Sequence, residues 1–577
     1  LIVVWLACAS PEPAPGDSAP PPPRPGPTVA AQMHLHGPIS EGDTTYGFQG
    51  REAERFGVDV LWWTDHDHMY DRSAWAREPQ WATGGALVTE APPSTVASNW
   101  WSVTPPDGGT ADLTLDPAGW EGAPAMVFEV DAKDKGSAGP AMIGLAGCAA
   151  SAPVAVAAYQ ARGDQGYNEL SRPLLSEVSV SIALQPDVGW EAGADRVRVR
   201  LPLSMVEDGV NRAVWWAEED DPFPRGPLDV VVPIVLDPGV WSSFTIDLSS
   251  FARDNLPEGL DLALQGLEVI VAPRGDARVL VAGVRIEESV CCEELLSAQE
   301  RLFEELPGPV THLIGLELSY ESTRHLTAFG NPVFVDYETL TLHQPIVLVD
   351  WAHAQGARVA VTHVFGPSAD VINPSLDRDA TVAATCDELA KSQVYGADYL
   401  EVGYPVRSLD ITAHLEVWDC LMARGFVLPG IGTSDNHFTR KWDTLANPFV
   451  TWILTDRAET WPMLDALSAG RAFFGDPVRT NDPYFDLRSP VGDMGAIVGD
   501  LPAEPVVVEA ELMGADGVIR WVVDGEVVAT GASSLEVVPG PWTVVRAEVW
   551  SIEQRPLLFS NALILSTEPQ EGRAVGR

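Results

Sequence analysis

The rhythm of hydrophobic and polar positions changes several times along the chain. From Val29 to about Thr89 come a short apolar strand, a helix over Gly50 to Phe56 and an apolar strand over Val58 to Trp63; Arg51, Glu52 and Glu54 fall on the exposed helix face. That succession is α/β punctuation. From about Ala91 to Arg285 the texture becomes short alternating runs, Ala125 to Val130, Val178 to Leu184, Arg196 to Leu201 and Val279 to Ile286, separated by Gly, Pro and Asp clusters. Period-two alternation with frequent turn signals predicts an all-β sandwich. Helical periodicity returns over Glu293 to Leu306, where Leu295, Leu296, Leu302, Phe303 and Leu306 can share one face.

Strands and helices then alternate from His312 to about Pro477, with strands at His312 to Leu318, Arg358 to Thr362, Tyr399 to Val402 and Phe426 to Gly432. Apolar runs of this kind suit a parallel sheet or barrel covered on both faces. The β segment thus interrupts one α/β domain. After Asp482, alternation in Val506 to Leu512, Val518 to Val523, Glu526 to Ala529 and Trp542 to Val549 predicts a small C-terminal β-sandwich. The expected parts are a leader remnant and tether (1–28), the two halves of the α/β domain (29–90 and 289–482), the inserted sandwich (91–288), the C-terminal sandwich (483–566) and a frayed tail (567–577). A chain of 577 residues exceeds what one core can serve.

Composition narrows the partners. With 82 Asp and Glu against 36 Lys and Arg, the net charge of −46 repels polyanions, which excludes nucleic acid and favours cations. The six cysteines lack C-x-x-C spacing, so neither a zinc knuckle nor a redox motif is suggested, and their pairing cannot be read. The apolar run Leu1 to Ala7, ending at Cys8, looks like the tail of a signal peptide and resembles the end of a bacterial lipobox. Pro11 to Pro27 reads as an extended tether behind it. Together they predict an extracytoplasmic protein, secreted or an outer-membrane lipoprotein, which touches a membrane only through a lipid on Cys8.

Five segments place a ligand-type residue at or beside an expected strand end. His34 and His36 alternate in the first strand, on one side of an extended chain. Thr64, Asp65, His66, Asp67 and His68 follow the apolar run ending at Trp63. Glu317 sits within an apolar strand, where a carboxylate needs a cation or a raised pKa, and His325 comes eight residues later. His363 ends a strand, and Asp435 and His437 end another. In barrel enzymes the C-terminal strand ends form the reactive face.

This order, H-x-H, T-D-H-D, a strand Glu, a strand-end His and S-D-x-H, is similar to the motif series of the polymerase and histidinol phosphatase (PHP) superfamily. Ala469 to Phe474 and Phe559-Ser560-Asn561 further resemble its carbaryl-hydrolase-like branch. The resemblance implies a distorted (β/α) barrel of PHP type carrying two or three divalent metals. It assigns His34, His36, Glu317 and Asp435 to a first metal, with Glu317 bridging to a second held by His325 and His363. Glu41, His66 and His437 would hold a third, Glu41 standing where the family often has Asp or His. Asp65, Asp67 and His68 would support the ligands.

Nitrogen and oxygen donors without thiolate suit Zn, Mn or Fe. Such a pair of ions can generate hydroxide near neutral pH, so no protein nucleophile is required. Glu317 and Asp435 would carry catalysis with Arg407 and Arg471, which with Arg440 and Lys441 are candidates for anion recognition. The reaction expected is phosphoester hydrolysis of a small-molecule or glycan-linked ester. Hydrolysis of a carbamate, amide or carboxylic ester is the rival chemistry, and glycan binding with structural metals the rival outside catalysis. The run from Val240 to Leu248 looks like part of a galactose-binding-type jelly roll, where Trp215, Trp216 and Trp241 would offer carbohydrate contact or, as core residues, none.

Overall fold

The computed structural model describes residues 26–40, 42–70, 101–104, 110–116, 119–122, 125–131, 155–159, 172–190, 196–221, 226–272, 277–290, 292–319, 324–331, 344–366 and 371–569. The expected leader, Cys8, nearly all of the proline tether and Glu41 lie outside them, as does the side chain of His68.

The main sheet begins with β1 (Val29–Leu35) and β2 (Val60–Trp63), buried at every position and parallel to each other. Between them runs α1 (Tyr46–Arg55), where the Thr45 side chain accepts the Phe48 N–H as an N-cap. That cap starts the helix ahead of the expected span. Glu52, expected to be exposed, is buried and accepts the Trp442 N–H at 2.8 Å.

The chain re-enters the sheet through α2 (Cys292–Glu305) and β3 (Thr311–Leu318), which is parallel to β2. A short strand absent from the sequence pattern, β4 (Leu326–Phe329), runs antiparallel to both β3 and β5 (Arg358–Val361). Parallel pairing resumes through β6 (Tyr399–Gly403) and β7 (Gly430–Gly432). On the other side of β1 lie β8 (Val450–Ile453) and β9 (Ala472–Gly475), both antiparallel, giving the order β7-β6-β5-β4-β3-β2-β1-β8-β9. Among the helices of this region, α3 (Arg378–Lys391) and α4 (Ile411–Ala423) are tied by a disulfide between Cys386 and Cys420.

The sheet curls until the segment after β7 meets β1. There the Asp435 N–H donates to the His34 carbonyl at 2.8 Å and the His36 N–H to the Asn436 carbonyl at 3.0 Å. Only an isolated bridge, Leu35 to Asn436, joins the two ends. The architecture is a curled mixed α/β sheet, and its ladder does not by itself make the distorted (β/α) barrel expected.

The described residues between 101 and 288 form two sheets. Val178, Val180, Ile182 and Leu184 on one, and Val197, Val199, Leu201 and Leu203 on the other, share one core, as the two-residue period dictates. Trp216 is part of that core, while Trp215 is 2% exposed and Trp241 partly buried. The first two are therefore covered and cannot stack on a sugar from solvent.

Beyond Asp482 the expected separate sandwich takes another form. Tyr484–Arg488, Val506–Met513 and Ser534–Val537 make a three-stranded sheet. The second layer, however, is joined to the main sheet, because Pro556–Ser560 pairs with β9. Gly475 permits that approach: a Cβ there would lie 1.9 Å from the Leu557 carbonyl oxygen.

Candidate metal centre

The curl of the sheet brings side chains from five strand ends together around two buried carboxylates. Glu317, next to last in β3, presents Oε1 to His325 Nδ1 at 2.8 Å, His363 Nε2 at 3.1 Å and His34 Nε2 at 3.5 Å. Its Oε2 faces His66 Nδ1 at 3.0 Å and His36 Nε2 at 3.1 Å. Asp435, beyond β7, turns Oδ1 toward His36 Nε2 at 3.1 Å, His437 Nε2 at 3.2 Å and His34 Nε2 at 3.3 Å. Its Oδ2 lies 3.3 Å from His363 Nε2 and against Arg407 Nη1.

Among the described residues, three groups have donor atoms all within 4.8 Å of one another: His34, Glu317, His363 and Asp435; His36, His66 and Glu317; and His36, Asp435 and His437. The grouping differs from the family assignment in linking His363 to Asp435 and His36 to both His66 and His437. His363 and Asp435 also adopt left-handed backbone, with φ of 43° and 50°. For residues other than glycine that conformation costs on the order of 1–3 kcal/mol each, and it persists where surrounding contacts enforce it.

Hydrogen bonds brace the imidazoles of the cluster. Asp65 Oδ1 accepts from the Gly37 N–H at 2.6 Å and the Ser40 hydroxyl at 2.7 Å, and Ser40 Oγ lies 3.1 Å from His36 Nδ1. Asp67 accepts the Ser319 N–H at 3.1 Å, and Ser319 Oγ is 2.6 Å from His66 Nδ1. The sequence reading missed Glu401. This residue of β6 is fully buried and lies 2.8 Å from His34 Nδ1, and it accepts the His363 N–H at 2.7 Å and the Thr433 hydroxyl at 2.6 Å. The signal that could have found it is the one used for Glu317, a carboxylate inside an apolar strand.

Electrostatics test whether metal fits. Burial opposes ionisation of Glu317, yet His66, His325, His34 and His363 hold its pKa well below the usual range. Burial likewise opposes Asp435, whose pKa Arg407, His34, His363 and His437 depress. For His34, burial disfavours the charged ring, but Asp435, Glu401 and Glu317 outweigh it and raise the pKa to about 10. Three buried carboxylates thus face one arginine, and the histidines must supply the remaining positive charge. Meanwhile His34 Nε2 and both ring nitrogens of His363 are buried without a well-formed hydrogen bond. Excess buried negative charge and converging imidazole nitrogens fit divalent cations.

Not every candidate reaches the cluster. Arg407 does, its guanidinium also lying 5.3 Å from the Tyr404 ring centroid. Arg471 does not: it forms a fork with buried Asp486, at 2.9 and 3.0 Å, and bonds the Met494 carbonyl. Its role is to close that turn, so the expected anion contact is withdrawn. Arg440 and Lys441 are exposed, with Arg440 over the Phe438 ring at 4.6 Å.

No family model matches the chain, and no curated protein matches it. Among solved structures, the chain is similar to a two-domain protein from Bacteroides vulgatus described as containing a predicted PHP-like metal-dependent phosphoesterase. The identity is 15%, over 47% of this chain and 79% of that one, with a TM-score of 0.24. It is also similar to the family 11 carbohydrate-binding module of a Clostridium thermocellum cellulosomal cellulase, at 11% identity over 33% and 88% of the two chains and a TM-score of 0.18. A family 30 module from a cellulase of the same organism matches at 12% identity, over 31% and 91%, with a TM-score of 0.19. At these scores the functional reading rests on the geometry of the site itself.

Proposed function

We propose that the chain is an exported metal-dependent hydrolase of PHP type that acts on phosphoesters. The observation that carries this reading is the pair of buried carboxylates, Glu317 and Asp435, each ringed by imidazoles from separate strand ends. His34, His36, Glu317 and Asp435 would hold one ion, and Glu317, His325 and His363 a second. His66 and His437, with Glu41, would hold a third. Divalent ions, when bound, acidify water and stabilise the negative charge that develops on substrate oxygens.

The protein's own residues do the rest. Asp65 and Asp67, through Ser40 and Ser319, orient the rings of His36 and His66. Buried Arg407 offers a fixed guanidinium beside the cluster, which favours a phosphate over a neutral carbamate or carboxylic ester. The Cys386–Cys420 disulfide supports an oxidising compartment and, with the leader-like start, an extracytoplasmic location. A panel of phosphomonoesters, phosphodiesters, aryl carboxylic esters and carbamates, run with and without added Zn, Mn or Fe, tests the reading. Metal-dependent phosphate release supports it; turnover confined to carbamates or carboxylic esters would replace it with the rival chemistry.

A further inference from the structure

The interior of β6 holds a charge that the proposed reaction does not use. Tyr399, Leu400 and Val402 around Glu401 are all buried, and the Glu401 carboxylate has no arginine or lysine within ion-pair reach among the described residues. An unpaired carboxylate there would cost several kcal/mol. What holds it is three donors from three different strand ends: His34 Nδ1 on β1 at 2.8 Å, the His363 N–H beyond β5 at 2.7 Å and the Thr433 hydroxyl beyond β7 at 2.6 Å.

Each donor leads to a ligand-type residue. Accepting from Nδ1 keeps a proton on that nitrogen of His34, so Nε2 is the ring nitrogen turned toward Glu317 and Asp435, 3.5 and 3.3 Å away. The bond to the His363 amide holds a residue at φ 43°, and Thr433 lies two residues before Asp435 at φ 50°. Both left-handed residues turn their side chains toward the same cluster.

We propose that Glu401 is the positioning residue of the centre. It fixes the His34 tautomer and ties the strained turns at His363 and Asp435 to one carboxylate, so that the donor set exists before any ion arrives. This rests on the metal-centre reading for its consequence and on hydrogen bonding alone for its geometry.

Glu401→Gln in the full chain tests it, because an amide keeps the volume but offers only one acceptor oxygen. Turned one way, its NH2 opposes the His363 N–H; turned the other, it donates to His34 and forces the opposite tautomer. The first readout is histidine ring 15N chemical shifts in metal-free protein, His34 being assigned by its loss in His34→Asn. Wild type should show Nδ1 protonated and hydrogen-bonded whether or not Nε2 also carries a proton, and Glu401→Gln should show Nδ1 losing that proton in part or wholly. The second is Zn and Mn affinity by equilibrium dialysis, expected to fall roughly 10–100-fold in Glu401→Gln. Should Glu401→Gln fail to fold, Thr433→Val removes one of the three bonds and should weaken Zn affinity several-fold with the His34 tautomer kept. An unchanged tautomer and Zn affinity within twofold of wild type, in Glu401→Gln or by affinity in its substitute, would overturn the proposal. Wild type that binds no metal would sink the metal-centre reading instead, and the tautomer data would still judge the positioning role.

Discussion

Arg198 and Asp221 in the inserted sandwich meet through two hydrogen bonds of 2.6 and 2.8 Å, and Arg212 and Glu258 through two of 2.6 and 2.9 Å. Among the described residues of the strand-end cluster, Glu317 faces five imidazoles and no arginine or lysine, and Asp435 faces four imidazoles and Arg407. Both regions bury charge. In the sandwich each guanidinium fork closes on one carboxylate, so nothing further is needed. In the cluster the carboxylates outnumber the fixed cations, two residues hold left-handed backbone, and His34 Nε2 and both ring nitrogens of His363 are buried without a well-formed hydrogen bond. A buried array closed by guanidinium forks is a structural device; one that balances only by holding protons on its histidines can exchange those protons for a cation.

The largest expected effect breaks the cluster at its hub. Glu317→Gln keeps the volume and removes the charge shared by five imidazoles, so phosphoester turnover should fall by at least about a thousandfold while the fold persists. Steady-state kinetics beside circular dichroism checks this. In the sandwich the same kind of change acts on stability instead. Arg198→Met leaves Asp221 buried and unpaired and should cost about 3–5 kcal/mol in denaturant unfolding, with metal content unchanged. Adding Asp221→Leu should recover most of it, because a well-packed apolar pair can replace a self-balanced ion pair.

Acidity sharpens the contrast further. The His34 pKa is raised from 6.5 to about 10 by its carboxylate neighbours. In metal-free protein that proton contributes stability that is full below pH 6.5 and lost as pH rises through about 10. A metal must displace it, so affinity should rise up to about tenfold per pH unit across that window, with proton release seen by calorimetry in buffers of different ionisation enthalpy. The smallest effect concerns Arg471: Arg471→Lys loses the fork to Asp486 and should cost about 1 kcal/mol or less in unfolding, leaving turnover unchanged.

The cluster was legible in the sequence because histidine and carboxylate are conspicuous where apolar strands end. His34, His36, His66, Glu317, His325, His363, Asp435 and His437 are all brought to it. Glu401 was less legible because it lies in the middle of the apolar strand Tyr399–Gly403, away from the strand ends where the other ligand-type residues stand. Arg471 misled because its partner Asp486 lies in a later strand, and pairing across a turn leaves no mark in composition. β4 escaped because four residues, Leu326–Phe329, are too few to show a period. The junction between the main sheet and the C-terminal strands was equally hidden, since it depends on which edge happens to lie beside Gly475.

Elemental analysis of wild-type protein, expressed with Zn, Mn and Fe supplied and dialysed free of excess, tests the central claim most directly. Two or three divalent ions per chain are expected, falling below one in Glu317→Gln. Less than one ion per chain in wild type, or full occupancy in Glu317→Gln, would contradict it.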